Sequence, residues 1–144
     1  MTGDRARLEQ LVREFGVANH IRFLFGLTQE DLFACYAHCD IFALPSRGEG
    51  FGLVFLEAMA CAKPVIGGAH GGTPDVIEDG VTGLLVPHGD AALLSSALVS
   101  LLTNPARTCK MGERGRERVR ADFAFEQFQA RLTQVLEDVV VQKH

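Results

Sequence analysis

The sequence predicts an α/β protein: a doubly wound parallel sheet of about four strands, flanked by helices and followed by an all-helical C-terminal region. Three observations carry this expectation. Short apolar runs at residues 21–25, 40–44, 64–68 and 84–86 alternate with segments whose apolar residues recur at helical spacing. Such alternation calls for parallel strands joined by helical crossovers. The junctions between them are rich in Gly and Pro, and beyond residue 90 no further strand-like run occurs. At 144 residues, 47% hydrophobic and 22% charged, the chain suits one domain with a sizeable core.

Taken in order, residues 4–16 read as a helix in which Leu8, Leu11, Val12 and Phe15 form an apolar stripe that Gly16 ends. IRFLF at 21–25 is a short strand. Thr28, with Asp31 three residues later, has N-cap spacing and opens a helix through about His38. The run at 40–44 is the strand that feeds a loop holding Gly48, Gly50 and Gly52. LVFLEAMACA then forms a helix whose side chains from 53 to 62 are apolar except Glu57, so it reads as buried all round. Lys63 and Pro64 turn the chain into strand PVIGG. Thr73 and Pro74 read as N-cap and first residue of a short helix ending near Asp79 and Gly80, and Gly83 leads into strand LLV. Residues 90–103, 106–122 and 124–141 read as three helices.

The stretch PSRGEGFGLVFLE, residues 45–57, organises the chain. A carboxylate in a buried helix is costly without a partner, so Glu57 is either a ligand-binding group or an internal cap or ion-pair member. Glu49 lies in the loop, as a binding residue or a solvated carboxylate. The two bracket a helix N-terminus, where free N–H groups and the helix dipole favour a phosphate. The glycines permit close approach of a ligand, or simply make a tight turn. Gly71 and Gly72 precede a second helix start with the same two readings. Ser46 and Arg47 share the first loop, with Arg47 read as solvated and a phosphate contact as its alternative, and His70 is a weaker candidate.

A net charge of −4 argues against a general grip on nucleic acid. The sequence shows neither a membrane-length apolar run nor a signal-peptide core, which is read as cytoplasmic. Cys35, Cys39, Cys61 and Cys109 do not form a disulfide frame. Cys35 and Cys39, one turn apart beside His38, lack a second ligand pair at structural-zinc spacing, so small core residues are the preferred reading. KMGERGRERVR at 110–120 is read as a solvated charged face, with an anionic membrane or lipid-linked acceptor as its alternative.

Pro45-Ser46, EGFG, Glu57 completing E-x7-E, LEAMA and PVI together resemble the group 1 (family 4) retaining glycosyltransferases. GGTPDVIEDGVTGLLV, IRFLFG and DLFACYAHCDIFALPS extend the resemblance over nearly the whole chain. It implies the GT-B type, two Rossmann-like domains with the reaction between them, of which this chain matches the C-terminal, nucleotide-sugar-binding half. The N-terminal domain and first strands, with the family's diphosphate-neutralising Arg and Lys, have no match. Ala62 stands where Gly is usual and Asp75 where Glu is commoner.

The resemblance implies that Glu57 accepts hydrogen bonds from two ribose hydroxyls and that Glu49 lies against the donor sugar as the catalytic candidate. Gly50, Phe51, Gly52 and Leu53 would offer N–H groups to the diphosphate, with Gly71 and Gly72 nearby and the base held by backbone around residues 24–27. The implied reaction is transfer of a hexose from a nucleoside diphosphate sugar to a hydroxyl with retained configuration and no metal. Implied partners are the nucleotide sugar and an N-terminal domain or subunit, or a second copy covering the open sheet edge. The alternative is a non-catalytic nucleotide-sugar-binding module, or a fragment that binds no nucleotide.

Overall fold

The computed structural model describes residues 2–141. The chain divides into two compact units, Met1–Asp31 and Leu32–His144. In the first, helix α1 (Thr2–Glu14) is followed by a 3-10 turn, Ala18–His20. Of the expected stripe Leu11 and Val12 are half-buried, whereas Leu8 is 44% and Phe15 75% exposed. Phe25 instead stacks on Phe23, with centroids 6.2 Å apart, and lies 4.2 Å beneath the guanidinium of Arg5.

The expected strand at 21–25 is not formed. The sheet has three strands among the described residues, not four. A β-prone run becomes a strand only where another strand meets its N–H and C=O groups, and among the described residues none pairs with this one.

Helix α2 (Gln29–His38) starts as its spacing predicts. Thr28 Oγ1 accepts the Asp31 N–H at 3.1 Å, and Asp31 Oδ2 accepts the Thr28 N–H at 3.1 Å and its hydroxyl at 2.8 Å. These bonds from Thr28 hold the Asp31 carboxyl below its ordinary pKa.

The second unit continues through β1 (Phe42–Leu44), α3 (Leu53–Ala60), β2 (Val65–Gly68), α4 (Thr73–Val76) and β3 (Gly83–Val86). It ends with α5 (Ala91–Leu102), α6 (Pro105–Asp122) and α7 (Phe125–Val141). The sheet is parallel, in the order β1-β2-β3, with Phe42 beside Val65 and Val65 beside Gly83.

Alternate strand residues feed two cores. Phe42, Leu44, Val65 and Leu85 pack with Tyr36, Phe55, Ala58, Met59, Val76 and Ile77. Ile41, Ile66, Leu84 and Val86 pack with Leu101, Met111 and the inner face of α5. Both faces of the sheet are covered, which is why its strands read as continuous apolar runs. Tyr36, Phe42 and Phe55 pack edge to face, with centroids 5.4 and 5.7 Å apart. On β3, Asp79 Oδ1 accepts the Leu85 N–H at 2.8 Å and so occupies a group of the edge strand.

Helix α3 is not buried all round. Phe55, Ala58 and Met59 are fully buried, but Leu53 is 63% exposed. Together with Phe51 and Leu56 it lines an apolar groove of about 470 Å³, closed on its other side by Phe123, Phe125 and Phe128. The sheet and α6 cover two sides of the helix; its third side forms the groove wall. Apolar composition reports how many faces a helix can bury, not how many have a neighbour.

The end of α3 explains why glycine suits position 62, where this chain has Ala62. Ala62 N–H donates to Met59 O at 2.8 Å and Lys63 N–H to Ala58 O at 3.1 Å, closing the helix, with Ala62 itself at φ +56°. That left-handed position favours glycine because a Cβ strains it. Ala62→Gly is expected to stabilise the protein by about 1 kcal/mol. Its urea midpoint should rise with an unchanged slope.

Helix α4 is a single turn, shorter than expected. Its N-cap is Gly72, Thr73 is its first residue, and the Thr73 side chain makes no cap bond. The three C-terminal helices fall where periodicity puts them. Asp90 Oδ1 caps α5 through the Leu93 N–H at 2.9 Å, and Asn104 Oδ1 caps α6 through the Arg107 N–H at 3.1 Å. Among the described residues no helix is long and apolar enough to cross a membrane.

Candidate functional site

Because the three strands are parallel, the loops that leave their C-terminal ends gather at one edge of the sheet. The first leaves β1 by a turn in which Ser46 N–H donates to Leu44 O at 2.9 Å. It runs to Gly52, whose φ of +88° caps α3 and whose carbonyl accepts the Phe55 N–H at 2.9 Å. The second loop leaves β2 and reaches Gly71 and Gly72.

The two loops meet backbone to backbone. Gly72 N–H donates to Glu49 O at 3.3 Å. A Cβ on Gly71, at φ +63°, would collide with the Glu49 carbonyl, and one on Gly72 with the Gly50 carbonyl. Glycine is required here for close approach. The third loop joins through His88, whose Nδ1–H donates to Pro45 O at 3.3 Å.

The structure therefore brings Glu49, Gly50, Gly71 and Gly72 together. Glu49 is half-buried and folds back over Gly52, its Cγ 3.6 Å from where a Cβ there would stand. Phe51 and Leu53 turn their side chains into the apolar groove, Phe51 meeting the Phe123 ring edge-on at 6.0 Å. Arg47 and His70 are exposed. Ser46 Oγ and Thr73 Oγ1, at the bases of the two loops, are buried without a protein partner among the described residues. Such orphaned hydroxyls are uncommon in folded proteins.

Glu57 lies one helical turn beyond Leu53 and is half-buried. It has an internal partner that the sequence did not disclose: Tyr36 OH donates to Glu57 Oε2 at 3.0 Å. Burial first, and the Glu57 carboxylate second, push the Tyr36 hydroxyl up to about 12. One carboxylate oxygen is thus held by the fold, and among the described residues Oε1 has no hydrogen-bond partner.

This contact predicts a titration. Tyr36 is the only tyrosine and the chain has no tryptophan, so ultraviolet tyrosinate absorbance reports it alone. Its midpoint is expected near 12 rather than near 10. Glu57→Gln should lower the midpoint without restoring it, because burial is the larger cause. The unfolded chain loses this proton near 10 and the folded chain near 12. Between those values the folded state holds the extra proton, so this contribution to stability is complete below about 10 and is lost as pH rises.

The cysteines do not behave as one set. Cys35, Cys39 and Cys61 are half-buried, Cys109 is exposed, and all are free. Cys39 Sγ donates to Tyr36 O at 3.4 Å, and burial pushes its thiol up. Among the described residues no group of three or more His, Cys, Asp or Glu is placed to hold a metal ion.

Chemically, the site offers the first-turn N–H groups of α3, a close-packed pair of glycine loops, Glu49 above them and Glu57 one turn further on. N–H groups and the dipole suit an anion, and a carboxylate with a free oxygen suits vicinal hydroxyls.

The chain is similar to known proteins over most of its length. The model of the family "Glycosyl transferases group 1" matches residues 2–118. The chain is 37% identical, over 136 residues, to the GDP-mannose-dependent alpha-(1-6)-phosphatidylinositol monomannoside mannosyltransferase of Mycolicibacterium smegmatis, covering 90% of this chain and 36% of that protein. Sucrose-phosphate synthase from Thermosynechococcus elongatus superposes with a TM-score of 0.86 at 37% identity, covering 96% of this chain and 35% of that one. Anabaena HepE in complex with UDP-glucose superposes with a TM-score of 0.83 at 26% identity, covering 92% and 36%. The chain thus spans about a third of the length of the relatives it matches.

Proposed function

The chain belongs to the group 1 glycosyl transferases, and from that membership we propose that it forms the donor-binding part of a retaining hexosyltransferase. Its donor is a nucleoside diphosphate hexose, the class to which GDP-mannose and UDP-glucose, named with two of its relatives, both belong. The whole protein transfers the hexose to a hydroxyl with retained configuration.

In this reading the diphosphate lies at the start of α3 against the N–H groups of Gly50, Phe51, Gly52 and Leu53, and needs no metal. Glu57 takes the ribose hydroxyls on its free oxygen while Tyr36 fixes the other. Glu49 faces the sugar at the reacting centre. The observation that carries the reading is the contact between the two glycine loops at the C-terminal ends of adjacent strands. The backbones of Gly71 and Gly72 lie against Glu49 and Gly50 in the loop that leads into α3, which supports a single small site there.

Calorimetric titration of the purified chain with UDP, GDP, ADP and their hexose conjugates tests it. Saturable binding selective for one base is expected. Glu57→Ala should weaken it by about ten- to a hundredfold, the size of a lost pair of charge-assisted hydrogen bonds. Tyr36→Phe, which removes only the internal partner, should keep most of the affinity. Absence of saturable heat with every nucleotide would overturn the donor-site reading.

A further inference from the structure

The basic run on α6 is not uniformly solvated. Arg114 and Arg120 are exposed, whereas the Arg118 side chain is only 27% exposed. Its Nε donates to the Val76 carbonyl at 3.1 Å and its Nη2 to the Asp75 carbonyl at 3.1 Å. The fork spans the last carbonyls of α4, which have no acceptable donor within that single turn. Nη1 lies 3.7 Å from Glu78 and 3.4 Å from Asp122. The guanidinium also faces the Phe123 ring at 5.6 Å.

Those contacts reach both glycine loops. Helix α4 spans four residues and follows Gly71 and Gly72 directly, so holding its C-terminal end holds the second loop. Phe123 meets Phe51, inside the first loop, edge-on. A single side chain is therefore joined to each loop through one intermediate.

We propose that Arg118 is a positioning residue of the donor site, a clamp that holds the Gly71–Gly72 turn against Glu49 and Gly50 and so sets the affinity for the donor. The clamp touches neither phosphate nor sugar. It acts through the α4 carbonyls and the Phe123–Phe51 pair, and its link to donor affinity rests on the donor-site reading above. Glu78 and Asp122 flank the guanidinium and neutralise it, which suits a structural fork better than an anion-binding arginine.

The test compares Arg118→Ala, Arg118→Lys and the exposed control Arg114→Ala with the wild-type chain, well below each melting temperature. Two quantities are read: amide exchange at Gly72, whose N–H bridges the loops, and affinity for the nucleotide that the wild type binds. Arg118→Ala should quicken Gly72 exchange and weaken binding, each by about tenfold, the scale of lost charge-assisted bonds.

Arg118→Lys should recover part of both, because an ammonium reaches one carbonyl but not two, and Arg114→Ala should match the wild type. An Arg118→Ala chain with a lower melting temperature but unchanged Gly72 exchange and affinity overturns the proposal. Should that variant fail to fold, unaltered Gly72 exchange in Arg118→Lys overturns it equally. A wild-type chain that binds no nucleotide refutes the donor-site reading, while Gly72 exchange still decides whether the clamp exists.

Discussion

Gly72→Val is expected to weaken donor binding by about a hundredfold or more while leaving the chain folded. A Cβ at this position would overlap the Gly50 carbonyl, and the α-carbon of Phe51 lies only 3.1 Å from it. These are backbone atoms, so no rotamer change relieves the clash and the loops must separate. Separation breaks the hydrogen bond from Gly72 N–H to Glu49 O and displaces the loop that leads into α3. Misplacing preorganised donors by about 1 Å costs on the order of a hundredfold in related situations.

The loss of affinity should therefore exceed that of Glu57→Ala, which removes one group and leaves the frame intact. Gly72 lies outside both buried cores, so the stability cost should stay near the 1–3 kcal/mol typical of local overpacking, roughly. Parallel titration and thermal melting separate the two effects. Wild-type affinity in Gly72→Val would show that the loop contact is irrelevant to binding.

Phe55→Ala is expected to produce the largest loss of stability. Phe55 is fully buried, meets Phe42 edge to face at 5.7 Å, and lies within 3.2 Å of where a Cβ on Gly67 would be. It fills the space between α3, β1 and β2, and such a site collapses poorly when emptied. Phe→Ala at a core position costs about 3–5 kcal/mol, against a total of about 5–15 kcal/mol for a small domain. Leu53→Ala, on the same helix but largely exposed, should cost less than about 1 kcal/mol. Urea unfolding of both variants checks the contrast. Equal losses would mean that the groove is packed as tightly as the core.

These two residues show what the sequence made legible. Val65 and Ile66 were readable because parallel strands covered on both faces read as short apolar runs, and Phe55 because it lies in an apolar helix. Glu49 and Glu57 stood out as candidates by their spacing and by the oddity of a charge in an apolar helix. That Glu57 bonds Tyr36 was not readable, since the two are 21 residues apart and only the packing of α2 onto β1 and α3 brings them together.

The run at 21–25 shows the opposite limit: its residues suit a strand, but a strand is a property of a pair. Leu53 misled in the same way, because its apolar character says nothing about the presence of a neighbour. Arg118 was within reach. It falls three residues after buried Gly115 and seven after buried Met111, on the inner face of α6. The charges around it obscured that spacing.

The most direct test of the central claim is an assigned amide proton–nitrogen spectrum of the chain with increasing amounts of the nucleotide that binds best. Shifts should centre on Gly50, Phe51, Gly52, Leu53, Gly71 and Gly72, with smaller changes around Glu57, and should saturate with the affinity measured by calorimetry. Shifts centred elsewhere, such as the Phe123–Phe128 groove or the turn after β3, would contradict a donor site built on the two glycine loops.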